Sequence, residues 1–112
     1  PSWFQHWASE HAACRNAVVL IDMSFMSKFV VRGLDAAAML ERLSTAAIAK
    51  ECGRITYTQL LNHRGRLEAD LTVTALGAGT LLGGAGGFLV VATDTSHRHV
   101  ESLLRRGARE GE

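Results

Sequence analysis

Between positions 55 and 75 the sequence ITYTQLLNHRGRLEADLTVTA allows few folds. Apolar and polar residues alternate on either side of Asn62-His63-Arg64-Gly65, a turn signal, so the stretch reads as two antiparallel strands. On the second strand Leu67, Ala69, Leu71, Val73 and Ala75 share one face, while Glu68, Asp70, Thr72 and Thr74 share the other. The apolar row needs a core behind it. The polar row, with Asp70 at its middle, therefore looks outward or into a pocket.

The first strand sets Ile55, Tyr57, Gln59 and Leu61 against Thr56, Thr58, Leu60 and Asn62. A slip of one residue would exchange the two sets, so the turn decides which residues join Asp70. A four-residue loop at 63–66 pairs Asn62 with Leu67, Gln59 with Asp70 and Tyr57 with Thr72, which sets Tyr57 diagonal to Asp70 on one face. A three-residue loop puts Tyr57 opposite Leu71, away from Asp70. The longer loop or an equivalent bulge is the expectation, with Gly65 at positive φ.

Other elements follow from local signals. Ser2-Trp3-Phe4-Gln5 has the form of a capping box, predicting a helix that begins beside Trp3 and packs through Trp3, Trp7, Cys14 and Val18. Residues 28–33 read as a strand with Phe29 and Val31 opposed to Val30. Asp35 is placed to cap a helix from 36 to about 43, with Leu34 and Met39 as a hydrophobic staple and Met39, Leu40 and Leu43 buried. Residues 46–53 form a connector. The glycine-rich run LGAGTLLGGAGG lacks the Gly-Lys-Ser/Thr of a phosphate loop and precedes a strand-like segment at 88–92, so it reads as a mobile hairpin connection. Asp94 or Thr95 then caps a last helix that turns Val100, Leu103 and Leu104 inward, pairs Glu101 with Arg105, and stops at Gly107. The expected class is α+β, an antiparallel sheet with helices packed on one side.

The chain's 112 residues suit one domain, and 47% hydrophobic with 21% charged residues is globular composition. A net charge of +1 argues against nucleic acid, and no apolar run approaches the ~20 residues of a membrane span. Cys14 and Cys52 belong to no metal or redox spacing and read as buried or inert thiols. His6 and His11 do not share a helical face, and His97 and His99 point apart toward solvent, so no metal site is expected. The start at Pro1 without an initiator Met and the charged end suggest a processed or excised segment.

There is no nucleophile–base triad and no dinucleotide fingerprint. The candidates for chemistry are Asp70, the nearby Tyr57 and the turn at 22–26. Asp70 stands out because a charge on a strand of apolar and hydroxyl residues is disfavoured without a partner.

Three segments, DMSFMSKFVVRGLDA, GRITYTQLLNHRGRLEADLTVTAL and FLVVATDT, resemble the N-terminal part of the folate-binding aminomethyltransferase family. That family includes the glycine-cleavage T-protein and the C-terminal halves of dimethylglycine and sarcosine dehydrogenases. The opening Trp-Phe, the EHAACR stretch and the Leu-Asn-x-x-Gly turn resemble the dehydrogenase branch more. The resemblance implies that Asp70 is the catalytic carboxylate, and that Met26, Tyr57 and Asp70 line the folate pocket. Two positions depart from the family pattern: Ala92 stands where an Asn is common, and Thr74 where a Tyr is.

What the resemblance implies for residues 1–112 is a partial domain, the N-terminal subdomain of the folate-binding fold. The implied chemistry is transfer of an aminomethyl or iminium carbon to tetrahydrofolate, within a dimethylglycine or sarcosine dehydrogenase-like oxidoreductase. FAD would then belong to a region N-terminal to this chain. The partners implied are folate, an amine substrate and the rest of the parent chain, in a bacterial cytoplasm or mitochondrial matrix. A non-catalytic folate-binding or regulatory module of the same fold is the alternative. A pocket built between subdomains loses its far wall in isolation, so the fragment alone is expected to be inactive.

Overall fold

A computed structural model describes residues 1–49, 51–79 and 86–109. Among these, helix α1 (Phe4–Asn16) is followed by strand β1 (Ser27–Val31), helix α2 (Ala36–Leu43), strands β2 (Ile55–Leu61), β3 (Leu67–Leu76) and β4 (Gly87–Ala92), and helix α3 (His97–Arg109). The strands form one antiparallel sheet in the order β1-β4-β3-β2. One face of it meets α2 and α3. Leu60, Ala69, Leu71, Val73, Val90 and Ala92 from the strands pack there with Met39 and Leu40 of α2 and Val100 and Leu104 of α3. The α+β class with helices on one side is therefore the observed architecture.

The hairpin follows its alternation. Gln59 pairs with Asp70 and Tyr57 with Thr72, while a bulge between Leu60 and Leu61 brings Leu61, not Asn62, opposite Leu67. Asn62 is freed to build the turn. Its Oδ1 accepts from the backbone N–H of Arg64 at 2.9 Å and of Arg66 at 3.1 Å, and Gly65 takes φ +70°. The amide of Asn62 also donates to Glu68 Oε1 at 2.8 Å, and Glu68 Oε2 meets His99 Nε2 at 2.7 Å. A chain of polar contacts thus ties the turn to α3.

Other local signals were overridden. The capping box does not form: Trp3 is the N-cap of α1, no side chain caps it, and the helix buries no residue. Trp3, Phe4 and Trp7 are 60%, 49% and 46% exposed, and their rings meet one another at tilted angles instead of packing on the sheet. The helix ends at Asn16, so Val18 never joins the stripe, and α1 stands off the body. The Cα radius of gyration is accordingly 17.0 Å, against about 13 Å for a compact domain of 100 residues.

Asp35 adopts φ −98°, ψ 8° and makes no side-chain cap, because an N-cap needs extended backbone to reach back to the first turn. Leu34 is fully exposed, so no staple forms. Met39 and Leu40 are buried as expected, and Leu43 half-buried. Thr93, not Asp94 or Thr95, heads the 3-10 turn Asp94–Ser96 that leads into α3. Val100 and Leu104 are buried, and Arg105 reaches Glu101 at 2.8 Å. Gly107 does not stop the helix; it lies buried inside α3, where a Cβ would come within 2.7 Å of Leu43 Cδ1. Both cysteines are free, as expected, but exposed, so of the two alternatives burial fails. The strands flanking the glycine-rich run pair antiparallel, as a hairpin connection requires, while residues 80–85 of that run lie outside the described residues.

Candidate functional site

Among the described residues, nothing covers the face of the sheet opposite the helices. Register places its side chains in rows across all four strands. Lys28, Val91, Thr72 and Tyr57 make one row, and Val30, Leu89, Thr74 and Ile55 make the next. Beyond the first row lie Asp70 and Gln59, directly paired. Val30 is 44% exposed, and Leu89 and Val91 are half-buried, so the face combines an apolar strip with a polar end.

Tyr57 and Asp70 meet at that polar end. The phenol donates to Asp70 Oδ2 at 2.6 Å, the diagonal contact allowed by the bulged register. This bond pushes the Tyr57 phenol above its ordinary value near 10, because ionising it would lose the donated proton and oppose the carboxylate; Gln59 opposes the shift in part. The sign of the linkage is fixed by that direction. The stabilisation is complete below the ordinary tyrosine value and is lost as pH rises through the raised one. Tyr57 is the chain's one tyrosine, so phenolate absorbance reports it alone. Alkaline titration is expected to give a midpoint above 10, and Asp70→Asn to bring it back down. An unshifted midpoint in the wild-type chain would show that the pair does not persist in solution.

Met26, half-buried, precedes Ser27, which pairs with Ala92, which pairs with Leu71. Met26 itself lies in the bend just before β1, outside the paired residues, at the end of the sheet where Asp70 stands. Tyr57 and Asp70 thus share one end of one face, with Met26 in the bend at that same end. The pair stands on an open surface, however, and not in a cleft. Among the described residues, a groove of about 870 Å³ lies between β1, α2 and α3, and one of about 520 Å³ lies between α1 and residues 18–21; neither includes Tyr57 or Asp70.

Of the two departures, Ala92 is buried in the helix-covered face and cannot touch anything on the open one. Thr74 lies on the open face between Ile55 and Leu89. His97 and His99 are exposed but not idle: His97 Nδ1 lies 3.0 Å from Ser27 Oγ with its ring stacked on Phe29, and His99 holds Glu68. The Asn62 amide, and then His99, draw the Glu68 carboxyl below its usual value. Sequence reasoning missed Lys28 beside the 22–26 turn and the full role of Asn62. The Asp-x-Ser turn signal at 22–24 was the available clue to the first.

The described residues thus form a small α+β unit that carries a tyrosine–carboxylate pair on an open sheet face. The chain belongs to the GCVT N-terminal domain family, which it matches over residues 1–110. It is 38% identical over 109 residues to the formaldehyde-forming 4-methylaminobutanoate oxidase of Paenarthrobacter nicotinovorans, covering 97% of this chain and 12% of that protein. It is 45% identical over 67 residues to the mitochondrial sarcosine dehydrogenase of Homo sapiens, covering 60% of this chain and 7% of the relative. An aminomethyltransferase of Caldanaerobacter subterraneus subsp. tengcongensis is 39% identical over 74 residues, covering 65% of this chain and 20% of its own length. The chain therefore spans a small part of each of these relatives. Among the described residues no helix is long and apolar enough to cross a membrane.

Proposed function

We propose that residues 1–112 form the N-terminal subdomain of a folate-binding domain, in an enzyme that passes an aminomethyl or iminium carbon to tetrahydrofolate. The observation that carries this reading is the 2.6 Å Tyr57–Asp70 hydrogen bond at the polar end of an open sheet face that also bears an apolar strip. A reduced pterin is flat and rich in N–H donors. It fits a surface that offers one carboxylate acceptor, a phenol, a thioether at Met26 and an apolar strip.

Bound tetrahydrofolate would supply the nucleophilic nitrogens that take up the carbon as 5,10-methylenetetrahydrofolate, while the bond from that carbon to the donor nitrogen breaks and the amine leaves. Asp70 accepts hydrogen bonds from the pterin and stabilises positive charge developing at the amine carbon, an electrostatic role. Tyr57 fixes the carboxylate's orientation by occupying one of its oxygens. Met26 bounds the site at the far strand. Resemblance to the oxidase and sarcosine dehydrogenase supports an FAD-dependent parent working in a bacterial cytoplasm or mitochondrial matrix, with its flavin held outside this chain.

Isothermal titration with tetrahydrofolate tests the proposal. Micromolar binding is expected for the full-length parent, weaker binding for the 112-residue chain, and loss in both on Asp70→Asn. A parent that gives no heat with tetrahydrofolate overturns it.

A further inference from the structure

The turn that carries Met26 is held from one side by a single ammonium group. Lys28 Nζ donates to the backbone carbonyls of Met23 at 3.0 Å, Ser24 at 3.3 Å and Met26 at 2.8 Å. An ammonium has three N–H donors and no acceptor, so these carbonyls use all of them. A second device acts within the turn: Asp22 Oδ1 accepts from the backbone N–H of Ser24 at 2.8 Å, and Met26 N–H donates to Met23 O at 3.2 Å. Lys28 itself sits in the sheet row of Tyr57, while Met26 lies in the bend before β1, at the end of the sheet that holds Asp70. Its stem therefore starts on the open face, and its head returns to the turn at the edge of that face.

We infer that Lys28 is a positioning residue, which fastens the 23–26 turn and so sets where Met26 stands relative to the Tyr57–Asp70 pair. The inference rests on the folate reading for its consequence, but the fastening can be judged apart from it. With its three donors committed, Lys28 is not the cation that meets a ligand's carboxylate. Its charge serves the protein's own backbone. Arginine would not replace it fully, since a planar fork of donors cannot converge on three carbonyls as a compact ammonium does.

The test labels the methionine methyls of the 112-residue chain with carbon-13 and compares wild type with Lys28→Leu and Lys28→Arg. The chain holds three methionines, and buried Met39 reports on the core as an internal control. In Lys28→Leu the Met26 methyl is expected to shift while Met39 stays. Tetrahydrofolate affinity is expected to fall about tenfold, the scale of losing hydrogen bonds to a charged group, with part of it recovered by Lys28→Arg. An unmoved Met26 methyl overturns the inference. A shifted methyl with unchanged affinity upholds the fastening, overturns its consequence for binding, and leaves the folate reading standing. If wild type ignores tetrahydrofolate in both chain and parent, the folate reading fails, and a shifted Met26 methyl still upholds Lys28 as the fastener of the turn.

Discussion

In the full-length parent, Asp70→Asn is expected to cut folate-dependent product by roughly 10²- to 10³-fold, the scale of removing one preorganised electrostatic group from a reacting centre. If the parent is a dehydrogenase, oxidation of the amine should continue at its usual rate, and uncaptured one-carbon units should leave as formaldehyde. The measurement is the ratio of 5,10-methylenetetrahydrofolate to formaldehyde at fixed amine turnover.

Asparagine preserves the shape of the side chain and can still accept the Tyr57 hydrogen bond, so the substitution removes charge and little else. Asp70 is exposed and faces away from the core, which leaves the melting temperature nearly unchanged. A variant that makes the wild-type ratio of products refutes the role. It would leave Asp70 as an orienting contact for Tyr57 and turn attention to the non-catalytic folate-binding alternative.

The hairpin and its partners were legible because their signals are local and mutually consistent. Alternation fixed which residues of β2 and β3 face the core, and the Asn-x-x-Gly turn limited the register to two choices. One of those choices joins Tyr57 to Asp70. The bulge that realises it arises because Asn62 leaves the ladder to bind the N–H groups of Arg64 and Arg66. α1 was illegible in a different way. The helix forms, but its apolar residues make only a weak stripe, and among the described residues no element buries it. Gly107 shows the same limit: a glycine near a helix end suits a stop, yet this one is kept small by Leu43 from α2. Nor does any local signal reveal that β1 joins the sheet beside β4, which is what brings Met26 and Lys28 to the end that holds Asp70.

The largest effect on stability is expected at Gly87. It begins β4 at φ +138°, a conformation that side chains rarely adopt, and an added Cβ would lie 2.5 Å from the Val31 carbonyl oxygen and 2.9 Å from Arg32 Cγ. The carbonyl belongs to the neighbouring strand's backbone and cannot rotate aside. Gly87 also pairs with Leu76 while Phe88 pairs with Val31, so any displacement disturbs the seams with β3 and β1 together. Gly87→Ala is therefore expected to cost about 2–4 kcal/mol, combining backbone strain with the collision. That corresponds to a melting temperature lower by roughly 10–20 °C in a domain of this size. Gly65→Ala separates the two contributions, because its φ is +70° but nothing lies within 4 Å of the new Cβ. Strain alone should cost it about 1–2 kcal/mol. Thermal melts followed by circular dichroism decide the matter: Gly87→Ala melting no lower than Gly65→Ala would mean that β1 is not seated against β4 as described, and with it would go the placement of the Met26 bend at the Asp70 end of the sheet.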